Sequence, residues 1–291
     1  MTARNFIRKV TERISFLLTP VTKVYPQIVT LSPNELLKGR NALITGGTSG
    51  IGFQIAKAFA CSGAHVVITG RKSSKVEQAV DKLRTLTNSE NIFGIDMDMR
   101  DVEGMKKKLD AAMELTGACF DILVNNAGVN GCSFNDGTES DFDNILETNL
   151  KGVFFLSRLV ARLMKRNELK GNILNMASSS SLRPAASAYT LSKWGVRGLT
   201  QGLAITLAPY NIVVNGIAPG PTITPMMVHD DNMNDISLSS NLTGRYALPE
   251  EIANMAVILV SDMGRMIVGD IVYMTGGSGL IYNGDVNYTF A

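Results

Sequence analysis

Tyr189 and Lys193 stand four residues apart in Ala188-Tyr189-Thr190-Leu191-Ser192-Lys193. On a helix this spacing puts both side chains on one face, where an ammonium stabilises a phenolate. A free phenol titrates at about 10, and a neighbouring positive charge lowers that toward a value useful for proton transfer. Alone, such a pair is a common surface coincidence. It gains weight from Ser178-Ser179-Ser180-Ser181, which follows the apolar run Asn172–Ala177 and begins eleven residues before Tyr189. A hydroxyl at the carboxyl end of a strand meets a tyrosine on the next helix across a substrate.

A second group of residues suits phosphate rather than proton chemistry. Thr45-Gly46-Gly47-Thr48-Ser49-Gly50-Ile51-Gly52 follows the apolar run Ala42-Leu43-Ile44 and opens an apolar helical stretch. Glycines there let the chain turn sharply, approach a pyrophosphate closely and pack a helix on a sheet, and the helix N-terminus attracts negative charge. The spacing is not that of a nucleotide-hydrolysing loop, and no lysine follows the last glycine. A purely structural turn is the competing reading.

These residues need elements to hold them. Short apolar runs at Ala42–Thr45, His65–Thr69, Ile92–Met97, Ile122–Asn125, Asn172–Ala177, Ile212–Ile217 and Ile271–Met274 read as strands. Amphipathic stretches at Ile51–Ala60, Ser74–Leu86, Val102–Thr116, Phe142–Lys165, Ala188–Ala208 and Glu250–Ser261 alternate with them as helices. Strict alternation predicts an α/β fold, a doubly wound parallel sheet of Rossmann type with helices on both faces. No linker, low-complexity run or repeat divides the pattern, so residues 39–291 read as one domain and residues 1–38 as an N-terminal extension.

The 291-residue chain is 45% apolar and 19% charged, which excludes disorder and fibrous repeats. Its three cysteines, Cys61, Cys119 and Cys132, form no C-x-x-C, so neither a disulfide framework nor a metal site is expected and a reducing cytoplasm fits best. His65 reads as a strand residue and His229 as a surface one. A net charge of +2 is too weak to imply nucleic acid as a partner. The charge is uneven: residues 1–26 carry five bases against one acid beside Phe6, Ile7, Val10, Ile14, Leu17 and Leu18 at helical spacing, ending near Pro20. This basic amphipathic helix lacks the features of a signal peptide. It is expected to pack on the body or on a partner subunit, with contact to a membrane surface as the alternative.

Taken together, Thr45-Gly46-x-x-x-Gly50-x-Gly52, Asn125-Asn126-Ala127-Gly128, Asn149, a serine before Tyr189-x-x-x-Lys193, and Pro219-Gly220 resemble the short-chain dehydrogenase/reductase family, in its order and over about residues 39–279. The resemblance implies a seven-stranded parallel sheet, NAD(P)-dependent hydride transfer to or from a small-molecule carbonyl or alcohol, and a homodimer or homotetramer built on helix faces. It implies that Ser178 orients the substrate oxygen and that Tyr189 exchanges its proton. Lys193 would hold the nicotinamide ribose and lower the Tyr189 pKa, while Asn149 would anchor a proton-relaying water. The serine sits two positions closer to the tyrosine than is usual, which places a shortening around Arg183-Pro184 and leaves Ser179 and Ser180 as alternatives. Thr275 stands before Gly276-Gly277 where the family commonly has an aspartate, a structural position.

The cofactor is expected to touch Gly46, Thr48, Ser49, Gly50, Ile51 and Gly52 in the turn, and Asp98 and Met99 beside the adenine. Farther along, Asn125, Ala127, Gly128, Tyr189, Lys193, Pro219, Gly220, Thr222 and Thr224 complete the expected set. Asn125 and Asn126 have a structural reading as well, and Asp101 reads equally as a helix cap. The second strand ends Thr69-Gly70-Arg71-Lys72, with two bases where an NAD enzyme carries an acid, so NADP is the preferred cofactor and NAD the alternative. Neither Thr48 nor Ser49 adds a base to the turn. Met226, Met227 and Met233 follow in the expected substrate lid, as an adaptable apolar pocket or ordinary packing. A cofactor-binding regulator that has lost turnover is the alternative function, and a scaffold has no need of Asn149, Ser178, Tyr189 and Lys193 together. An epimerase or dehydratase would need a larger substrate domain after the sheet. Sugar, polyol, acyl thioester and steroid ketones all remain open as substrates, because specificity lies in the loops after Gly128 and Pro219.

Overall fold

The computed structural model describes residue 25, residues 34–224, residue 226 and residues 235–280. Seven parallel strands form one sheet: β1 Asn41–Ile44, β2 His65–Gly70, β3 Ile92–Asp96, β4 Ile122–Asn125, β5 Gly171–Met176, β6 Ile212–Pro219 and β7 Ile271–Met274, in the order 3-2-1-4-5-6-7. The order reverses between β1 and β4, paired in register from Ala42 opposite Ile122. A doubly wound sheet opens its ligand crevice at that reversal, beyond the carboxyl ends of the strands.

Among the described residues seven α-helices cover the sheet: α1 Gly50–Cys61, α2 Ser73–Thr87, α3 Met105–Thr116, α4 Glu139–Leu146, α5 Gly152–Arg166, α6 Ala188–Leu207 and α7 Pro249–Val260. Strand alternation splits the core in two. Ala42, Ile44, Val66 and Ile68 pack beneath α1, α2 and α7, with Phe59 and Leu83. Leu43 and Val67 face the other way onto Met105, Leu109, Phe120, Leu156 and Val160. Both faces are buried, which is why the strands read as continuous apolar runs.

The sequence predicted one helix over 142–165; the structure breaks it. Thr138 and Asp141 cap each other at the start of α4, and a π turn over Glu147–Lys151 separates it from α5, closed by the Gly152 N–H on the Glu147 carbonyl. The extra residue is accommodated where Gly152 crosses Met99: a Cβ there would lie 2.3 Å from the Met99 carbonyl oxygen. The helix expected from Val102 begins at Met105, because Asp101 accepts the Gly104 N–H at 2.9 Å in a preceding turn. The basic helix expected at residues 1–26 lies outside the described residues, apart from an exposed Tyr25.

At the amino ends of the strands, Arg40 ties several elements together. It donates from Nε to Asp121 at 2.7 Å, and from Nη2 to Asn172 Oδ1 at 3.0 Å; Nη1 reaches the last carbonyl of α7, on Val260, at 3.3 Å. The other Asp121 oxygen accepts the Asn41 N–H at 2.9 Å. The entry points of β1, β4 and β5 are thereby fixed relative to α7.

Candidate active site

At the carboxyl ends of β1, β2, β4, β5 and β6 lies a cleft of about 650 Å³. Its floor at the β1 end is the glycine turn. Gly46 has a φ of +65°, and a Cβ on it would come within 2.8 Å of Ala127 Cα. The turn is held by hydrogen bonds from Asn126, whose Nδ2 donates to the Thr45 and Gly46 carbonyls at 2.9 and 3.0 Å. Thr45 Oγ1 in turn accepts the Asn126 and Ala127 N–H groups, each at 3.0 Å. Gly52 makes the helix approach possible, since a Cβ there would lie 2.4 Å from the Gly46 carbonyl oxygen. Ser49 stands at the N-cap of α1 with no side-chain capping bond, so the first-turn N–H groups beside the cleft are left to an anion. The residues present therefore fit a dinucleotide diphosphate.

Next along the rim, β2 ends in Gly70, where Thr48 Cγ2 would lie 2.7 Å from any added Cβ. Arg71, exposed, lines the cleft beyond it; Lys72 turns out as the N-cap of α2. Asp98 lies opposite, held well below the usual carboxylate range, first by the Arg100 side chain that donates to both its oxygens and more weakly by the charge of Arg71.

The catalytic candidates gather at the β5 end. Ser178 and Tyr189 line the same end of the cleft, and the Ser178 side chain is the one polar group that favours the Tyr189 phenolate; Ser178 Oγ accepts the Ser180 N–H at 3.1 Å. Lys193 Nζ sits 5.6 Å from the Tyr189 ring centre and donates to the Met176 carbonyl at 2.8 Å. Burial pushes the Lys193 ammonium down to about 8. The expected lowering of Tyr189 is not found: burial raises the phenol, and the Ser178 side chain pulls it only part of the way back. Desolvation is the larger of the two effects, because taking the phenol out of water disfavours its charged form.

Four expected residues stand back from the cleft wall. Asn149 is 1% exposed; its Oδ1 accepts the Val129 N–H, and its Nδ2 donates to the Val129 carbonyl and Ser192 Oγ at 2.9 and 3.1 Å. With both amide hydrogens used, this side chain pins the strip Gly128-Val129 against α6. Asn125 points into the core, donating to Ser157 and Asn175, and Asn126 is the asparagine that lines the cleft. Gly52 lies behind the turn, and Lys72 is exposed without lining the cleft. The remaining expected residues, from Gly46 to Thr224, line the cleft, as does Met226; Met227, Met233 and His229 lie outside the described residues. Sequence reasoning missed Thr148, Val129, Asn130 and Arg183 as lining residues. Only Arg183 carried a signal: a cation just past the serine run.

A family model described as short chain dehydrogenase matches residues 40–235, and the chain belongs to that family. Among characterised relatives, it is 36% identical over 247 residues to the 3alpha-hydroxysteroid dehydrogenase of Mediterraneibacter gnavus, covering 84% of this chain and 98% of that one. Its fold resembles that of a short chain dehydrogenase from Burkholderia cenocepacia in complex with NADP (TM-score 0.75, 34% identity, 84% and 99% coverage). It is equally similar to the 3-ketoacyl-(acyl-carrier-protein) reductase of Brucella melitensis complexed with NADH (TM-score 0.75, 31% identity, 84% and 100% coverage).

Proposed function

We propose that this member of the family is an NADP-preferring oxidoreductase that reduces a ketone or oxidises a secondary alcohol. The observation that carries the reading is the placing of Ser178, Tyr189 and buried Lys193 at one end of the same cleft that holds an uncapped helix N-terminus. When bound, the nicotinamide supplies or takes up the hydride. Ser178 and Tyr189 hold the substrate oxygen between them, and the Tyr189 hydroxyl gives up its proton to it in reduction. Lys193, titrating at about 8, is able to pass a proton on at neutral pH and adds positive charge beside the phenolate as it forms. Asn149 keeps Gly128 against that ammonium: a Cβ on Gly128 would stand 3.8 Å from Lys193 Nζ. Gly46, Ser49, Gly50 and Ile51 would hold the diphosphate, and Arg71 the 2′-phosphate.

A homodimer or homotetramer accompanies this reading. On α5 and α6, Phe154, Leu191, Trp194 and Ile205 are exposed, and added Cβ atoms at Gly198 and Gly202 would meet nothing within 4 Å. The three free cysteines support a reducing cytoplasm. Among the described residues no helix is long and apolar enough to cross a membrane. The test is a panel of ketones and secondary alcohols followed by cofactor absorbance, with Tyr189→Phe as the blank. Turnover lost in that variant is expected. Turnover equal to wild type on a true substrate would refute the assignment.

A further inference from the structure

The half of the cleft beyond Tyr189 has a charge of its own. Arg183 closes the short 3-10 turn Ser179–Leu182 that follows Ser178, and its exposed side chain lines the cleft with Ser179, Ser180, Ser187 and Thr190. At about 2 Å of rise per residue, the turn carries the Arg183 backbone roughly 10 Å from Ser178. The backbone is fixed there: its N–H donates to the Ser180 carbonyl, and its own carbonyl accepts Trp194 Nε1 at 2.9 Å. The guanidinium makes one hydrogen bond, from Nη2 to the Ser278 carbonyl at 3.3 Å, and no described carboxylate pairs with it. Asp98 is the only acid among the described lining residues, and it is already taken by Arg100 beside β3. Among the described residues, Arg183 therefore stands without a carboxylate partner at the cleft wall.

The cofactor phosphates do not account for this cation. The expected diphosphate and 2′-phosphate contacts come from the ends of β1 and β2, whereas Arg183 follows β5, three strand spacings or about 14 Å from β2 across the sheet. A planar guanidinium with donors unused by the described residues matches a carboxylate in two-point contact. The wall around it bears hydroxyls rather than a continuous apolar surface.

Resting on the function proposed above, we propose that the substrate is an oxo acid or the corresponding hydroxy acid, whose carboxylate binds Arg183. Its carbonyl meets Ser178 and Tyr189, and several bonds separate the two groups. Reduction consumes one ketone, one hydride from the cofactor and one proton through Tyr189; the carboxylate takes no part in bond making.

The test compares levulinate and longer homologues, extended one methylene at a time, each against its methyl ester. At the best chain length, wild type is expected to favour the acid about 10- to 100-fold in kcat/KM, the scale of one charge-assisted contact at an accessible site. In Arg183→Ala the acid-to-ester ratio should fall toward one, mainly through KM; Arg183→Lys should keep part of it, and Arg183→Glu should invert it. An acid-to-ester ratio near one in wild type at every length overturns the proposal while leaving the oxidoreductase reading intact. So does an equal loss for acid and ester in Arg183→Ala. No turnover of any acid or ester by protein that binds the cofactor counts against both.

Discussion

The two ends of the sheet treat buried charge in opposite ways. At the amino ends, Arg40 and Asp121 face each other, each nitrogen of the guanidinium and both carboxylate oxygens are hydrogen-bonded, and each side chain is 16% exposed. At the carboxyl ends, Lys193 is 6% exposed and has a carbonyl, not a carboxylate, for its partner. A paired charge locks the fold; an unpaired one is costly to bury and is kept where chemistry uses it. The same contrast runs through the backbone, with a clamp of side-chain bonds closing one end and a glycine turn that leaves its helix N-terminus open to the cleft at the other. It divides the molecule into residues whose loss should unfold it and residues whose loss should only silence it.

The division is broken most directly by Tyr189→Phe, which deletes one hydroxyl. Turnover should fall by about 100-fold or more, the scale of a lost general acid–base, while the melting temperature stays near that of wild type. Parallel losses of stability and rate would erase the contrast. Because burial raises the phenol, wild-type alcohol oxidation should climb with pH through the neutral range and beyond, which a rate–pH profile checks.

Arg40→Met is the reciprocal change. It leaves the Asp121 carboxylate buried without its guanidinium, at a cost of about 3 kcal/mol, with kcat of the folded fraction unchanged. Burial already lifts Asp121 above the usual carboxylate range despite Arg40, and removing Arg40 lifts it further. The unfolded chain then ionises first as pH rises, so the penalty should be largest near neutrality and smallest near pH 4, roughly the free carboxyl value. Urea unfolding at the two pH values measures it. A loss independent of pH would place the effect in packing rather than in the stranded charge.

Lys193→Met sharpens the comparison further, because function and stability should move in opposite directions. A lysine lowered to about 8 in the folded state binds fewer protons there than in the unfolded chain up to about 10.4. The burial penalty is full below the folded value, fades between the two, and is absent above the unfolded value. The methionine variant should therefore be the more stable protein at pH 7, by about 1–3 kcal/mol once the lost bond to Met176 is counted. That advantage should vanish in alkaline solution, and turnover should be gone throughout. A destabilised variant at neutral pH would mean that Lys193 is paired after all.

How legible each end was in the sequence follows from the same physics. Strands buried on both faces announce themselves as apolar runs, and Ile122–Asn125 and Ile271–Met274 match the observed bounds residue for residue. The glycine turn and the Tyr189–Lys193 pair are local, so spacing exposes them. The Arg40 clamp joins residues 81 and 132 positions apart and has no local signature. The π turn at Asn149 was hidden because apolar spacing in α4 and α5 survives one inserted residue. Asn125 and Asn126 are adjacent and identical; only the strand pleat decides which faces the core, and the pleat sends Asn125 inward.

The smallest expected effect concerns Arg71, at the rim between the two regimes. β2 ends in a glycine because Thr48 and Val76 leave no room for a side chain at position 70, so no acid can stand there to accept a ribose hydroxyl. Arg71 follows it at the cleft with an exposed guanidinium that has no hydrogen-bonded carboxylate among the described residues. Its influence on Asp98 is electrostatic only, and weaker than that of Arg100. A 2′-phosphate offers a partner, and a fork is better matched to it than the neighbouring Lys72, which does not line the cleft. One charge-assisted contact at an open rim is worth about 1.5–3 kcal/mol, or about 10- to 100-fold in Kd. Titrating both cofactors into wild type and Arg71→Ala should show NADP affinity falling by that factor while NAD affinity barely changes. The fold should be untouched, since Arg71 closes no core contact. Tighter binding of NAD than NADP by wild type would mean that the rim selects by shape at Gly70, and that Arg71 is only a solvated base.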